Sequence, residues 1–288
     1  MEMKIIKSPA EMQHQAIAWK REGLKIALVP TMGCLHAGHL SLMRKAVQNA
    51  DKVIVSLFVN PMQFGPNEDF AAYPRQFQID CDLAEKEGVH LIFCPDAKEM
   101  YPEGFQTTVS VKTLTQGMCG ADRPGHFDGV ATVVSKLLHL TIPDIAVFGE
   151  KDFQQLAVIR QMVRDLHFPV TIIGSPIVRE ADGLAMSSRN KYLAGEMRTQ
   201  ALCLYRSIQA AQQIVARAGH DVAAGTIIEA TKKTVAEAGG KLEYAVVVDE
   251  HSLQAETFVG SSSVLAIAVK IGGVVRLIDN AKLFIVKK

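Results

Sequence analysis

Short apolar runs alternate with amphipathic segments from residue 25 to about residue 174, and this alternation restricts the possible fold more than any other feature of the sequence. Five runs have the length and β-branched content of buried strands. They lie at 25–30, 53–59, 90–95, 145–151 and 170–174. Between them, two segments repeat apolar residues at helical spacing. The expected apolar face is Leu40, Met43, Ala46 and Val47 in 38–50, and Val130, Val133, Val134, Leu137 and Leu138 in 130–140. This order predicts an α/β domain, with a parallel sheet covered by helices on both faces and joined by right-handed crossovers.

The pattern changes after about residue 178. Two long helical segments, 195–218 and 222–238, are followed by three apolar runs at 242–250, 264–273 and 274–280. Helices followed by strands are typical of an α+β domain with an antiparallel sheet. We therefore expect a larger domain at 1–178 and a smaller C-terminal α+β domain at 179–288, with the stretch 179–190 as the hinge.

Charge and cysteine content exclude several classes of partner. Lys plus Arg (31) nearly equals Asp plus Glu (30), so the chain has no net field to hold nucleic acid or an anionic membrane. The N-terminal residues carry scattered charges and no long apolar stretch, and no run approaches the ~20 apolar residues that span a bilayer. The five cysteines are odd in number, widely spaced and lack a CxxC pair. We expect a cytoplasmic protein without disulfides or a structural zinc site.

The segment PTMGCLHAGH at 30–39 follows the first predicted strand and opens the first long helix. Gly33 and Gly38 would let the backbone approach a phosphate, and the helix start supplies N–H groups and a positive dipole end. His36 and His39 lie three residues apart, so both imidazoles can donate to phosphate oxygens that gain charge as pyrophosphate leaves. The alternatives are two histidines without a role, or a zinc site, which would need further ligands.

Polar residues follow two other predicted strands. Asn60 and Gln63 lie after the second, where Pro61 ends the strand and neutral amides suit hydroxyl and carboxylate groups. Lys151 follows the strand at 145–151 as a candidate phosphate ligand, and Gln155 lies about one helical turn further on. Because ligands bind at the carboxyl ends of parallel strands, we expect these side chains to line one cleft, although a structural turn or a helix cap would explain each alone.

Two loops complete the candidate site. In the predicted hinge, Ser187, Ser188 and Arg189 could close over a triphosphate through charge-assisted bonds. In the loop 122–127, Arg123 could pair with a substrate carboxylate. The alternative for both is a solvated loop.

Taken together, these motifs resemble the pantothenate synthetase family, which belongs to the HxGH nucleotidyltransferase superfamily. The resemblance extends from about Lys25 to Ile278. It is carried by the segments PTMGCLHAGH, FVNPMQF, YPR, RPGHF, FGEKDFQQL and READGLAMSSRN. HxGH marks the superfamily, whereas FVNPMQF, FGEKDFQQL and GLAMSSRN narrow the match to this family. The resemblance implies a Rossmann-like first domain, a homodimer, and Mg²⁺ accompanying ATP.

The resemblance also implies a set of site residues. Those expected to bind ATP are Met32, Gly33, Cys34, Leu35, His36, Ala37, Gly38, His39, Gly149, Glu150, Lys151, Asp152, Val178, Met186, Ser187, Ser188 and Arg189. Among these, His39, His36 and Lys151 are expected to be catalytic. Those expected to bind pantoate or β-alanine are Gln63, Gln155, Asn60, Arg123 and His126. The protein ligands of Mg²⁺ are open, with Asp80 and Asp82 as candidates.

The implied activity is an ATP-dependent ligation of pantoate and β-alanine through a pantoyl adenylate, releasing AMP and pyrophosphate, as a step of pantothenate biosynthesis. No covalent nucleophile is needed, because positioning and electrostatics can supply the rate. Three alternatives remain at this point. They are an adenylyltransferase that stops after moving AMP, a nucleotide-sensing protein without turnover, and a reduced aminoacyl-tRNA synthetase, against which the near-neutral charge counts.

Overall fold

The computed structural model describes residues 3–66, 68, 70–218 and 221–284. It divides into two compact units. The first comprises Met1–Glu150 with Gln155–Pro176, and the second comprises Lys151–Gln154 with Ile177–Lys288. The boundary expected after residue 178 lies close to this division, but the short piece Lys151–Gln154 groups with the second unit. The assignment of ATP binding to one domain and closure to the other stays a prediction.

The first unit is built on a parallel sheet. Its described strands are β1 Lys4–Ile6, β2 Ile26–Thr31, β3 Lys52–Leu57, β4 Leu91–Phe93, β5 Ile145–Gly149 and β6 Thr171–Ser175. Their order is β1-β4-β3-β2-β5-β6, and each neighbouring pair is parallel. The α/β prediction is confirmed. Strand β1 was not predicted, because three residues are too few to show a periodicity.

Strand β2 lies between β3 and β5, so the chain leaves β2 in one direction along the sheet and later returns on its other side. The carboxyl ends of strands at such a reversal diverge and leave a crevice where ligands bind in open α/β sheets. The sheet therefore places the carboxyl end of β2 at Thr31 and that of β5 at Gly149 at one crevice edge.

Helices cover both faces of this sheet. They are α1 Pro9–Arg21, α2 Ala37–Val47, α3 Phe77–Lys86, α4 Ala97–Met100, α5 Met118–Asp122, α6 His126–Thr141 and α7 Phe153–Asp165. Ile26 and Leu28 of β2 belong to one buried cluster, together with residues of α1 and α6. Ala27 and Val29 belong to another, together with residues of α2 and α3. Alternate side chains of β2 thus point to opposite faces of the sheet and pack into two separate cores.

The second unit has the expected α+β composition. A 3₁₀ helix, Ser188–Tyr192, precedes the helices α8 Glu196–Ala201, α9 Cys203–Ala218 and α10 Ala224–Glu237. The strands β7 Lys241–Asp249, β8 Ser263–Ile271 and β9 Val275–Lys282 form an antiparallel sheet in the order β7-β8-β9. Apolar residues of α9 and α10 share one core with this sheet. The predicted helical segment 195–218 is interrupted at Leu202, where α8 ends and α9 begins.

The described helices all lack the combination of length and apolarity that a membrane span requires. The five cysteines are free thiols.

Candidate active site

The histidine turn joins β2 to α2 through two consecutive residues with left-handed backbones. Gly33 has φ +81° and Cys34 has φ +52°. A Cβ at Gly33 would lie 2.9 Å from Oδ2 of Asp80, so this position requires glycine for its backbone and for the space beside it. The turn ends at His36, which is the N-cap of α2.

The backbone of the turn orients both imidazole rings. Nδ1 of His36 accepts a hydrogen bond from the Gly38 N–H at 3.1 Å, and Nδ1 of His39 accepts one from the His36 N–H at 3.4 Å. The ring centroids are 4.1 Å apart. Because Nδ1 acts as an acceptor in each ring, the neutral imidazoles carry their proton on Nε2. The turn therefore holds the two rings side by side, each with Nε2 as its donor atom when neutral.

Three consecutive N–H groups within the turn are bonded inside the protein. The Gly33 N–H donates to Oγ1 of Thr31 at 3.2 Å. The N–H groups of Cys34 and Leu35 donate to Oδ2 and Oδ1 of Asp80, each at 2.8 Å. Sequence spacing could not show that a carboxylate from α3 reaches this turn, and the approach of Gly33 and Gly38 to a phosphate stays a prediction.

The two aspartates named as candidate magnesium ligands have different surroundings, and their role stays open. Asp80 is 2% exposed and both of its carboxylate oxygens bind the turn. Asp82 lies on the exposed side of α3 and accepts a bond from Gln78. Over the described residues, no cluster of three or more His, Cys, Asp or Glu side chains could hold a metal ion.

A 3₁₀ helix, Pro61–Gln63, follows β3, with Asn60 as its N-cap and Gln63 as its last residue. Asn60 is almost fully buried, and its Nδ2 donates to Oε1 of Gln63 at 3.2 Å and to the Gly129 carbonyl at 3.0 Å. Tyr101 donates its hydroxyl to Oδ1 of Asn60 at 2.7 Å, and burial raises the pKa of this phenol, so it remains a donor. Nε2 of Gln63 lies 3.2 Å from Sδ of Met32. The structure thus brings Gln63 beside the histidine turn, while Asn60 anchors the 3₁₀ helix.

Arg123 and His126 hold the backbone of Gln63. The Arg123 guanidinium donates to the Gln63 carbonyl at 3.2 Å, and Nδ1 of His126 lies 2.8 Å from the same oxygen. Arg123 also pairs with both carboxylate oxygens of Glu68, at 2.6 and 2.5 Å. Burial opposes ionisation of Glu68, but the hydrogen bond and the charge of Arg123, with smaller contributions from Gly65 and His126, together lower the pKa of this carboxyl. Arg123 therefore has a protein carboxylate as its partner, and its expected contact with a substrate stays a prediction.

Gly129 is a site residue that the sequence reasoning missed. A Cβ there would come 2.3 Å from the carbonyl oxygen of Met62, so α6 can approach the 3₁₀ helix only through glycine. Its signal was the glycine inside an apolar helical stretch, a position where close backbone approach is a common reason.

Gly149 and Glu150 lie at the end of β5, next to β2 in the sheet. The Glu150 N–H donates to the Ser175 carbonyl at 2.9 Å and continues the pairing with β6. A Cβ at Gly149 would meet nothing within 4 Å, so open space lies beside this strand end. Gln155 follows on α7 and is half-buried.

In the second unit, Asn280 holds the segment that carries Lys151 and Asp152. Nδ2 of Asn280 donates to the Lys151 carbonyl at 3.0 Å. The preceding residue, Asp279, is buried and forms a two-bond ion pair with Arg179 at 2.7 and 2.9 Å. The sequence reasoning missed all three supporting residues, although the polar pair 279–280 stands out in a predicted strand.

The stretch expected to be a hinge is a short hairpin followed by a 3₁₀ helix. The Met186 N–H donates to the Val178 carbonyl at 2.9 Å, so two predicted ATP-site residues are backbone neighbours. Oγ of Ser187 caps the 3₁₀ helix by accepting from the Arg189 N–H at 3.3 Å. Ser188 and Arg189 form the first turn of that helix and are half-buried. The loop is therefore ordered by its own hydrogen bonds.

Comparisons with known proteins cover nearly the whole chain. The family model described as pantoate-beta-alanine ligase matches residues 4–282. A pantothenate synthetase of Desulfotalea psychrophila is 52% identical over 284 residues, which is 98% of this chain and 99% of that protein. The crystal structure of pantothenate synthetase from Thermus thermophilus matches with a TM-score of 0.92 at 43% identity, over 98% of this chain and 100% of that one.

A third relative was solved with ligands bound. It is the pantoate-beta-alanine ligase from Francisella tularensis, complexed with beta-gamma ATP and beta-alanine, and it matches with a TM-score of 0.81 at 35% identity over 98% of both chains. The family match covers almost the whole chain, and relatives share about half of its residues. Both findings agree with the resemblance carried by the histidine turn. The chain therefore belongs to the pantoate–β-alanine ligase family.

Proposed function

We propose that this chain performs the reaction of its family with the paired imidazoles of His36 and His39 as donors to the ATP phosphates. The family reaction condenses pantoate with β-alanine at the expense of ATP and yields pantothenate. In the proposed course, a carboxylate oxygen of pantoate attacks the α-phosphorus of ATP and pyrophosphate leaves. The amine of β-alanine then attacks the acyl carbon of the pantoyl adenylate, and AMP leaves.

The observation that carries this proposal is the pair of Nε2–H donors at the crevice end of β2. As the bond to pyrophosphate breaks, charge grows on the phosphate oxygens, and donors fixed in advance stabilise that charge without reorganising. His39 is proposed as the principal donor and His36 as its neighbour on the phosphates.

Other residues are proposed to bind the same nucleotide. Lys151 supplies a mobile positive charge, and Ser187, Ser188 and Arg189 add hydroxyl and guanidinium donors. The observation in support is that the segments carrying them are ordered by Asn280 and by the hairpin at 178–186. The remaining ATP-site residues of the sequence prediction are proposed with them.

Gln63 and Gln155 are proposed to bind pantoate. The position of Gln63 supports this role, because its amide lies beside the histidine turn while Asn60, Arg123 and His126 fix its side chain and backbone. The ATP and β-alanine of the Francisella complex are the substrates expected here as well. Orientation of two bound substrates can supply a large share of the rate, so no covalent nucleophile is proposed.

Mg²⁺, dimerisation and location are proposed on the resemblance alone. Mg²⁺ usually keeps several waters and binds through substrate phosphates, which agrees with the lack of a carboxylate cluster among the described residues. For a homodimer, sedimentation equilibrium would give a mass about twice the 31.4 kDa of the chain. We propose the cytoplasm as the compartment in which the reaction takes place.

The direct test measures AMP and pyrophosphate from purified protein with ATP and Mg²⁺, with pantoate and β-alanine each present or omitted. We expect AMP only when both are present. Pyrophosphate release with unrelated acids, or pyrophosphate without AMP in the complete mixture, would overturn the proposed reaction.

The role of His39 is tested by His39→Ala, which should lower kcat roughly 100- to 1000-fold, as the loss of one transition-state donor does elsewhere. His39→Gln places an amide donor near the position of Nε2 and should recover part of the loss. His14→Ala, an exposed histidine of α1, is the control and should be neutral. Near-normal adenylate formation by His39→Ala would contradict the assignment.

A further inference from the structure

Both carboxylate oxygens of Asp80 accept hydrogen bonds from the histidine turn. Asp80 lies in the first turn of α3 and is 2% exposed. Oδ2 accepts from the Cys34 N–H and Oδ1 from the Leu35 N–H, each at 2.8 Å. A buried carboxylate is costly unless hydrogen bonds stabilise it, so the same two bonds fix both the Asp80 side chain and the turn.

Two further contacts lie beside the hydrogen bonds between Asp80 and the turn. A Cβ atom at Gly33 would lie 2.9 Å from Oδ2 of Asp80, so the carboxylate packs against a position that has no side chain. Nε2 of Gln76, the N-cap of α3, lies 3.2 Å from Sγ of Cys34. Residues at the start of α3, Gln76 and Asp80, thus contact the turn at adjacent positions.

The hydrogen bonds of the turn continue directly from Asp80 to the rings. The N–H groups of Cys34 and Leu35 bind Asp80, and the next N–H in the chain, that of His36, binds Nδ1 of His39. The direction of the His36 N–H depends on the peptide plane between Leu35 and His36. A carboxylate that fixes Leu35 therefore limits the rotation of that plane.

We infer that Asp80 is a positioning residue that holds the turn so that His36 and His39 keep their proton on Nε2 and point it at the nucleotide. The catalytic part of this inference rests on the proposed function of the two histidines. The effect of Asp80 on the ring tautomers does not, and it can be measured without turnover.

The decisive variant is Asp80→Asn, which keeps the shape of the side chain but offers one acceptor oxygen and an NH₂ group that faces a backbone N–H. One of the two bonds is lost and a donor opposes a donor. A shift of the turn by about 1 Å can lower a rate roughly 100-fold. We expect a fall in kcat of that size, with the KM for β-alanine nearly unchanged.

The readout specific to positioning is the ring tautomer. In full-length protein labelled with ¹⁵N-histidine, NMR correlations through the ring protons show which nitrogen carries hydrogen, and His36→Gln and His39→Gln assign the two rings. We expect a single Nε2–H tautomer for both rings in the wild type and a mixture in Asp80→Asn. Asp51→Asn is the matched control, because Asp51 also accepts from a backbone N–H, that of Lys25 at 2.8 Å, but lies outside the turn.

The outcomes separate the possibilities. Unchanged tautomers and unchanged kcat in a folded Asp80→Asn protein would overturn the inference, as would unchanged tautomers with mere loss of thermal stability. If Asp80→Asn does not fold, amide hydrogen exchange in the wild type decides. Slow exchange at Cys34 and Leu35 supports the two bonds, and fast exchange at both refutes them. If the tautomers respond to Asp80→Asn while His39→Ala retains activity, the proposed catalytic role fails but the positioning stands.

Discussion

The guanidinium of Arg123 donates to the backbone carbonyl of Gln63 at 3.2 Å, across 60 residues of sequence. The same guanidinium pairs with Glu68, and His126 approaches the same carbonyl at 2.8 Å. Residues that sequence reasoning placed around the substrate therefore act, in their observed contacts, on the glutamine proposed to bind it. The following predictions test how such supports contribute to activity and stability.

Arg123→Lys should lower kcat/KM for pantoate roughly 10- to 100-fold. An ammonium cannot maintain the fork to Glu68 and also donate to the Gln63 carbonyl, so the 3₁₀ helix loses a fixed contact. Steady-state kinetics with pantoate varied at saturating ATP measure the effect. Arg44→Lys, which breaks a similar fork to Glu87 on the exposed side of α2, is the control. Equal kinetics for both variants would show that the Arg123 fork does not position Gln63.

Gly129→Ala should destabilise the protein by about 1–3 kcal/mol, the usual cost of forcing an extra group into a packed site. The added methyl group would meet the Met62 carbonyl, so α6 or the 3₁₀ helix must shift and activity should fall as well. Chemical denaturation and kcat/KM measure the two effects. Gly225→Ala in α10, where a Cβ meets nothing within 4 Å, should be neutral or slightly stabilising. A Gly129→Ala protein as stable and active as the wild type would contradict the close approach.

Arg179→Ala should destabilise the second unit by about 3–5 kcal/mol, because it leaves a buried carboxylate without its partner. Burial already raises the pKa of Asp279 despite the bond to Arg179. Urea denaturation measures the loss, and Lys232→Ala, which removes an exposed pair with Glu229, should cost less than about 1 kcal/mol. Similar losses in both variants would mean that the pair Arg179–Asp279 is not effectively buried.

Acidification should destabilise the wild type in part through His90. Burial, aided by the charge of Lys52, lowers the pKa of this imidazole, and its Nδ1 accepts a bond from the Val53 N–H at 3.2 Å. Because the unfolded chain binds the proton more readily, the stabilisation is full above the ordinary pKa of about 6.5 and is lost as pH falls toward the lowered folded value.

His90→Asn keeps an acceptor for the Val53 N–H but does not titrate, so it should lose less stability between pH 7.5 and pH 5.5 than the wild type. Urea denaturation at the two pH values measures the difference. His14→Asn, on the exposed side of α1, should behave like the wild type. An equal pH dependence of wild type and His90→Asn would exclude His90 as the titrating group.

The sequence predicted most of the secondary structure correctly because burial imposes a period on each element. The stripe Val130, Val133, Val134, Leu137 and Leu138 is buried along α6 as its spacing required. In α2, the predicted apolar face was partly wrong. Val47 is 38% exposed and Leu42 is buried instead, because apolar residues at 40, 42, 43, 46 and 47 allow more than one helical face. A long regular stripe fixes the phase of a helix, whereas a short crowded one does not.

By itself, the sequence determined the order of most strands and helices, the family, and the turn that carries His36 and His39. Each of these depends on local spacing or on a contiguous motif. Only the tertiary structure decided that Asp80 holds the turn from 46 residues away and that Arg123 pairs with Glu68. A charged side chain takes the partner that the folded backbone brings within about 3 Å, and sequence spacing does not contain that distance.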